Sequence, residues 1–166
     1  NGPAASRGTY VGTVRTITAT ATVSWELGGL AVNGDPGFLY VWNMYNRVLV
    51  SLQVLDSTDS WTYPQDTVWR AANSSTTNRV SFVRGLNEDG ITSKYYQVVG
   101  NSAGTAAAIG VALDATNTYS GITGYGNNTF LSAAGYIVNG TYDSLPGLGF
   151  HFLQAVEYAQ VGTSTF

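Results

Sequence analysis

From Thr16 to Trp25 polar and apolar residues alternate without a break. Ile17, Ala19, Ala21, Val23 and Trp25 fall on one side, and Thr16, Thr18, Thr20, Thr22 and Ser24 on the other. A period of two puts successive side chains on opposite faces of an extended backbone, so this run predicts a half-buried strand rather than a helix. The threonine face is β-branched and polar, which suits water or a polar neighbouring subunit.

The same reading extends along the chain. Gly28-Gly29 and Asn33-Gly34-Asp35-Pro36-Gly37 are turns, and from Phe38 to Tyr63 there is neither Gly nor Pro. Phe38, Tyr40, Trp42 and Met44 alternate with Leu39, Val41, Asn43 and Tyr45, and Val48, Val50, Leu52 and Val54 resume the pattern, which predicts a hairpin turning near Asn46. Further strands are expected at Trp61–Trp69 (broken by Pro64), Arg79–Leu86, Tyr95–Val99, Ala107–Leu113, Phe130–Val138 and Phe150–Ala159. Ala106-Ala107-Ala108 leaves one of these ambiguous with a short helix. Asn73–Asn78 reads as a polar loop and Asn87-Glu88-Asp89-Gly90 as a turn. Eight or nine short strands between such turns predict an all-β, antiparallel β-sandwich, and the eight-stranded jelly roll fits the count best. Residues 1–13, with three glycines and a proline, read as a flexible lead-in, and 14–166 as a single domain. The start, Asn1-Gly2-Pro3-Ala4-Ala5-Ser6, lacks Met and reads as a processed or trimmed end.

Charge narrows the function. Only 10 % of the residues are charged, against roughly 25 % in ordinary soluble domains. Ser, Thr, Asn and Gly fill the gap, giving a neutral, hydroxyl-rich surface suited to subunit or sugar contact. The net charge is −3, and the seven basic residues, Arg7, Arg15, Arg47, Arg70, Arg79, Arg84 and Lys94, form no cluster. Nucleic-acid binding depends on grouped cations, so none is expected from this segment. The absence of Cys rules out disulfides and thiolate chemistry. No apolar run approaches the ~18 residues of a membrane-spanning helix, and no signal-peptide pattern is visible.

Several motifs invite a catalytic or ligand-binding reading. Gly100-Asn101-Ser102-Ala103-Gly104 matches the nucleophile elbow G-x-S-x-G, with Asp143 and His151 following in hydrolase order. That elbow belongs to a parallel α/β sheet, for which the chain lacks the helices, so a glycine-rich loop between strands is the expected reading. Ala155-Val156-Glu157-Tyr158 resembles the acid/base strand of small jelly-roll xylanases. A retaining glycosidase needs a second carboxyl about 5 Å away, and only Glu26 could serve. Otherwise Glu157 belongs to the polar face of the last strand, beside His151 and Ala155. No catalytic residue and no cofactor is therefore expected. Asp56 and Asp59, and Glu88 and Asp89, gather oxygen ligands of the kind calcium takes, although turn capping explains both pairs. His151 is the only histidine, so a histidine metal cluster is excluded. Asn73, Asn127 and Asn139 begin glycosylation sequons, which matter only in a secretory pathway. Trp61, Tyr63, Tyr119 and Tyr125 sit near turns, where aromatics could stack on sugars or anchor a neighbouring subunit.

Taken together, the jelly-roll count, the thin charge, the hydroxyl-rich faces and the Cys-free start resemble the capsid shell or projecting domains of small icosahedral RNA viruses of the tombusvirus and nodavirus kind. The nearest local likeness is Gly147-Leu148-Gly149-Phe150-His151-Phe152-Leu153-Gln154-Ala155-Val156-Glu157-Tyr158, similar to the last shell strand of such coats. The chain departs from them in lacking a basic RNA-binding arm and a clear acidic calcium cluster. The resemblance implies a virion coat subunit whose partners are copies of itself, with Arg70, Arg79 and Arg84 pairing with carboxylates on neighbours. The rival expectation is an extracellular receptor- or glycan-binding head, a fibre tip or lectin. Either reading predicts a β-type far-ultraviolet circular dichroism spectrum. A helix content above about a quarter would rule out the sandwich.

Overall fold

A computed structural model describes residues 13–15, 40–42, 45, 49–64, 66–102, 106–120, 129–130, 136–159 and 162–166. The chain divides into two compact units, Asn1–Leu49 with Gly85–Asn87, and Val50–Arg84 with Glu88–Phe166. In the first unit β1 (Thr13–Arg15) pairs antiparallel with β2 (Tyr40–Trp42). The alternating run that continues to Trp25 lies outside the described residues, as do Glu26, Tyr125 and Asn127.

The second unit is built of two antiparallel sheets. The first contains β4 (Asp66–Ala71), β5 (Arg79–Arg84), β7 (Ala106–Leu113), β8 (Thr129–Phe130) and β10 (Gly149–Ala159). The second runs β3 (Thr62–Tyr63), β11 (Ser164–Thr165), β6 (Ile91–Asn101) and β9 (Tyr136–Ser144). Among the described residues the only helical element is one 3-10 turn, Ala72–Ser74. The ambiguous Ala106–Ala108 segment is strand, because β7 pairs along its length with β10.

β10 organises the first sheet. One edge pairs with β7, and the other with β5 through Gly149–Gln154 and with β4 through Val156–Ala159. Partners on β4 and β5 follow one another along β10, Ala71 opposite Val156 and Arg79 opposite Gln154. β4 and β5 are thus one strand interrupted opposite Ala155 by an excursion of residues 72–78, whose end is pinned by Ala155 N–H to the Asn78 carbonyl at 3.0 Å. This excursion is the polar loop expected from the sequence. The left-handed conformations of Asn73 (φ 55°) and Ser74 (φ 52°) allow it to leave and rejoin the sheet.

The sheets share an interior. Tyr63, Val99, Val138 and Phe166 from the second pack with Ala107, Ile109 and Ala159 from the first. A second cluster joins Tyr142 to Val111 and Leu153. β7 contributes small side chains, and Ala107, Ala108 and Ala112 are fully buried. Gly140 on β9 lies directly against Gly110 on β7, and a Cβ placed on Gly140 would stand 3.0 Å from the Gly110 Cα. The close approach of the two strands requires hydrogen in place of a side chain at Gly140, whereas a Cβ on Gly110 would point to the other side of the sheet, 3.1 Å from the Tyr119 Cβ and 3.4 Å from the Trp69 ring.

One expectation is corrected. The second strand of the expected hairpin, Val48–Val54, is absent where it is described, since residues 49–60 carry no strand and β2 pairs with β1, while Asn46 itself lies outside the described residues. Alternation favours an extended backbone, but a strand also requires a ladder partner, and none among the described residues pairs with this segment. Of the strand expected over Phe130–Val138, Phe130 belongs to β8 and Tyr136–Val138 to β9, which runs on to Ser144, while residues 131–135 lie outside the described residues.

The glycine contact makes a sharp prediction. Gly140→Ala places its methyl against the Gly110 backbone, which must shift to admit it, and urea unfolding should show a loss of about 1–3 kcal/mol. Gly147→Ala, with nothing within 4 Å of the added carbon, should stay within about 0.5 kcal/mol of the parent.

Candidate functional site

The excursion between β4 and β5 carries the most concentrated polar chemistry among the described residues. Glu157 lies opposite Arg70 across the β10–β4 ladder, where facing side chains share one side of the sheet. Its carboxylate is fully buried and bonded on both oxygens. Arg70 Nε donates to Oε1 at 2.6 Å, while Trp61 Nε1 at 2.6 Å and the Asn73 backbone N–H at 3.3 Å donate to Oε2. Arg70 is held from behind by the Tyr63 ring, 3.8 Å below its guanidinium carbon, and its Nη2 donates to the Thr62 carbonyl. Burial pushes the Glu157 carboxyl above its usual range, against the opposite pull of Trp61, Arg70 and Asn73.

A second carboxylate closes the loop from outside. Asp56 accepts from Thr58 N–H at 2.9 Å, from Asn73 Nδ2 at 3.0 Å and from Asn78 Nδ2 at 2.6 Å. These donors, Asn78 foremost, hold the carboxyl of Asp56 well below the ordinary range. Asn78 also donates to the Ala72 carbonyl, and its own carbonyl accepts from Gln154 Nε2 at 2.9 Å. The segment leading into β3, the excursion and β10 are therefore tied by one network from Asp56 to Glu157. Tyr95 faces the same interior. Its buried hydroxyl has no partner among the described residues, and burial, with the charges of Glu157 and Asp56, pushes it above the ordinary phenol range.

This arrangement separates the residues singled out by sequence. Glu157 does not lie on an exposed polar face. It is wholly enclosed because its strand position faces the sandwich interior, and no second carboxylate accompanies it there among the described residues. Arg70, expected to reach a neighbouring subunit, is used within its own chain. Tyr63, expected at a contact surface, is buried under Arg70, and Trp61 is half-buried, stacked on Phe166 with centroids 6.3 Å apart. Arg84 is buried, with Nε donating to the Asp89 carbonyl at 2.8 Å. Arg79 is exposed over the Phe152 ring. Tyr119 packs on Trp69, which also meets Tyr158, on the side of the sheet away from Glu157.

The elbow motif does not assemble a triad. Asp143 pairs with Thr92 at one end of β6 and Ser102 adjoins the other end, roughly 30 Å apart along an extended strand. The next element after Ser102 is the strand β7 rather than a helix. Ser102 Oγ accepts from Thr163 N–H, and Ser102 N–H donates to the Thr163 carbonyl, so this serine joins two chain segments. His151 is bonded to Asp114 instead of Asp143. No three His, Cys, Asp or Glu side chains converge among the described residues. Asp56 is committed to its amide donors, and Asp59 lines an open groove of about 530 Å³ with Gln97, Asn101, Ser102, Thr163 and Phe166. The Asn73 sequon also conflicts with its surroundings, because the nitrogen that would carry a glycan donates to Asp56 and Thr58. The Asn139 sequon lies exposed on β9.

The remaining feature is a surface. The outward side of the β6–β9 pair carries Thr92, Lys94, Tyr96 and Val98 opposite Asp143, Thr141, Asn139 and Ile137. It is charged at one end and apolar at the other, where Tyr96 is 58 %, Val98 53 % and Ile137 78 % exposed. Val50, Leu52, Val54 and Leu55 are exposed as well. No family model, curated protein or solved structure matches the chain.

The Glu157–Arg70 pair should respond asymmetrically to substitution. Arg70→Met leaves a fully buried carboxylate without its cation, and unfolding at pH 7 should show a loss of about 3–5 kcal/mol. Glu157→Gln leaves Arg70 partly solvated, its side chain 27 % exposed, and should cost less, about 1–3 kcal/mol. In Arg70→Met the native state holds a proton on Glu157 more tightly than the unfolded chain does. Its deficit against the parent should shrink as pH falls from 7 toward the ordinary carboxylate range. A deficit that grows on acidification would show that Arg70 is not the compensating charge.

Proposed function

We propose that this chain is a self-assembling coat subunit, a jelly-roll domain whose copies pack side by side in the shell or projections of a virion. The observation that carries this reading is the uncovered apolar end of the β6–β9 face, Tyr96, Val98 and Ile137, in a chain with few charges to keep such a surface soluble. Contiguous exposed apolar patches in a soluble domain mark contact sites, and covering one gains roughly 25 cal/mol per Å² of apolar area. Paired strands provide a stiff platform. Many weak contacts in a closed symmetric array become stable without strong pairwise affinity. The exposed run Val50–Leu55 supports the same reading.

The groove beside Ser102 favours a second reading. Its amide and hydroxyl lining, with Phe166 and Val98 beside them, has the chemistry of a sugar site, so the competing role is a receptor- or glycan-binding head. One sandwich can host either task.

Sedimentation at micromolar and nanomolar concentrations separates the two. The coat reading expects concentration-dependent assembly, closed particles under the electron microscope, and loss of both in the doubly substituted Val98→Lys, Ile137→Lys chain with its dichroism unchanged. A stable 17.6 kDa species at every concentration, with glycans retained on an array, would replace the coat reading with the binding head.

A further inference from the structure

His151 is the single histidine of the chain, and the hydrolase pattern that drew attention to it does not account for its surroundings. Both ring nitrogens are engaged. Nδ1 stands 2.7 Å from Asp114 Oδ2, and Nε2 stands 2.7 Å from the Gly147 carbonyl oxygen. A carbonyl oxygen accepts and never donates, and so does an ionised carboxylate. Both nitrogens must therefore carry hydrogen, and the ring that satisfies this geometry is the imidazolium.

The framework around the ring is fixed. Asp114, at the end of β7, adopts φ 53°, accepts from the Phe152 N–H at 2.9 Å and donates its own N–H to the Phe152 carbonyl at 3.0 Å. Phe82, opposite His151 on β5, lies against the ring with centroids 5.7 Å apart. The charged groups facing the ring are Asp114, which favours the cation, and Arg84 at the end of β5, which opposes it. Gly147 belongs to the connection between β9 and β10, where Pro146 is buried while Leu145 is 63 % and Leu148 52 % exposed.

We propose that Asp114, His151 and Gly147 form a proton-operated latch: doubly protonated His151 pins the β9–β10 connection to β10, and loss of one proton releases it together with Leu145 and Leu148. The carboxylate is the stronger acceptor and retains the Nδ1 hydrogen. The proton leaves Nε2, whose lone pair then faces the Gly147 oxygen and repels it. The partners set the sign. The Asp114 hydrogen bond, foremost, raises the pKa of His151 above its ordinary 6.5. The latch is therefore fully closed below 6.5 and opens as pH rises through the higher folded value. This inference stands on the isolated subunit and holds whether or not copies assemble.

With one histidine, its ring resonances can be followed by NMR without assignment. At pH 6 both ring nitrogens should show imidazolium shifts, the midpoint should exceed 6.5, and Asp114→Asn, which tolerates the left-handed backbone, should lower it. The 1H–15N heteronuclear NOE of the Gly147 and Leu148 amides should fall through that midpoint as the connection is freed. In His151→Phe it should be low and independent of pH. A neutral single tautomer at pH 6, a midpoint at or below 6.5, or an NOE that is flat across the titration in the parent would overturn the latch.

Discussion

A carboxylate enclosed in a sandwich is the interaction on which the arrangement of this unit depends. Glu157 lies on β10 between Leu153 and Ala159, residues of the two apolar clusters, so its charge stands where burial disfavours it most. The fold answers by bringing three donors from separate parts of the chain: Trp61 before β3, Arg70 on β4 and the Asn73 amide on the excursion. Each is positioned by further contacts, Arg70 by Tyr63 and Thr62, and Asn73 by Asp56 and Thr58. A well-packed apolar pair of similar volume could stabilise the same site equally well. An ion pair adds register, because sliding β4 along β10 by one residue would leave two charges without partners.

The excursion of residues 72–78 and the glycine contact are two sides of the same packing problem. At Gly140 the second sheet meets the backbone of β7 at Gly110 with no side chain between them. Nearer β3 they must make room for Trp61, Tyr63 and the guanidinium of Arg70. Looping residues 72–78 out of the β4–β5 strand opposite Ala155 brings the amides of Asn73 and Asn78 to the carboxylates of Glu157 and Asp56.

Much of the strand content was legible because period-two alternation reports directly on a backbone with one buried face. β5, β7 and β10 fall within a residue or two of the positions read from the sequence, and the Asn73–Asn78 loop and the Asn87–Gly90 turn arise from Asx and Gly chemistry. The strand expected to continue to Val54 is absent over residues 49–54 because alternation is a property of one strand while pairing is a property of two. The polar network was hidden for a related reason. Arg70 and Glu157 are 87 residues apart in the chain, and nothing local distinguishes an arginine that pairs inside from one that reaches a neighbour. One signal was present: a lone Glu within the strongly apolar run Phe150–Ala159 needs a cation, and the cations are few. The His151–Asp114 contact was equally non-local, and the G-x-S-x-G match directed attention to Asp143 instead.

This spending of charge inside bears on the outer surface. The sequence supplies seventeen charged residues for 166 positions, and the fold encloses Glu157 and Arg84 and turns Arg70 inward. Hydration of the remainder falls to hydroxyl and amide groups, which interrupt apolar surface without repelling a second copy. A surface kept apart from its neighbours normally relies on net charge of one sign. On the β6–β9 face the charges that remain, Lys94 and Asp143, are of opposite sign and lie at the same end. They can orient an incoming neighbour but supply little net repulsion, so the contact of like faces is opposed mainly by the desolvation of threonine and asparagine. That balance suits the proposed assembly. Weak association that is reversible at each contact allows misplaced copies to leave before a closed array locks them in.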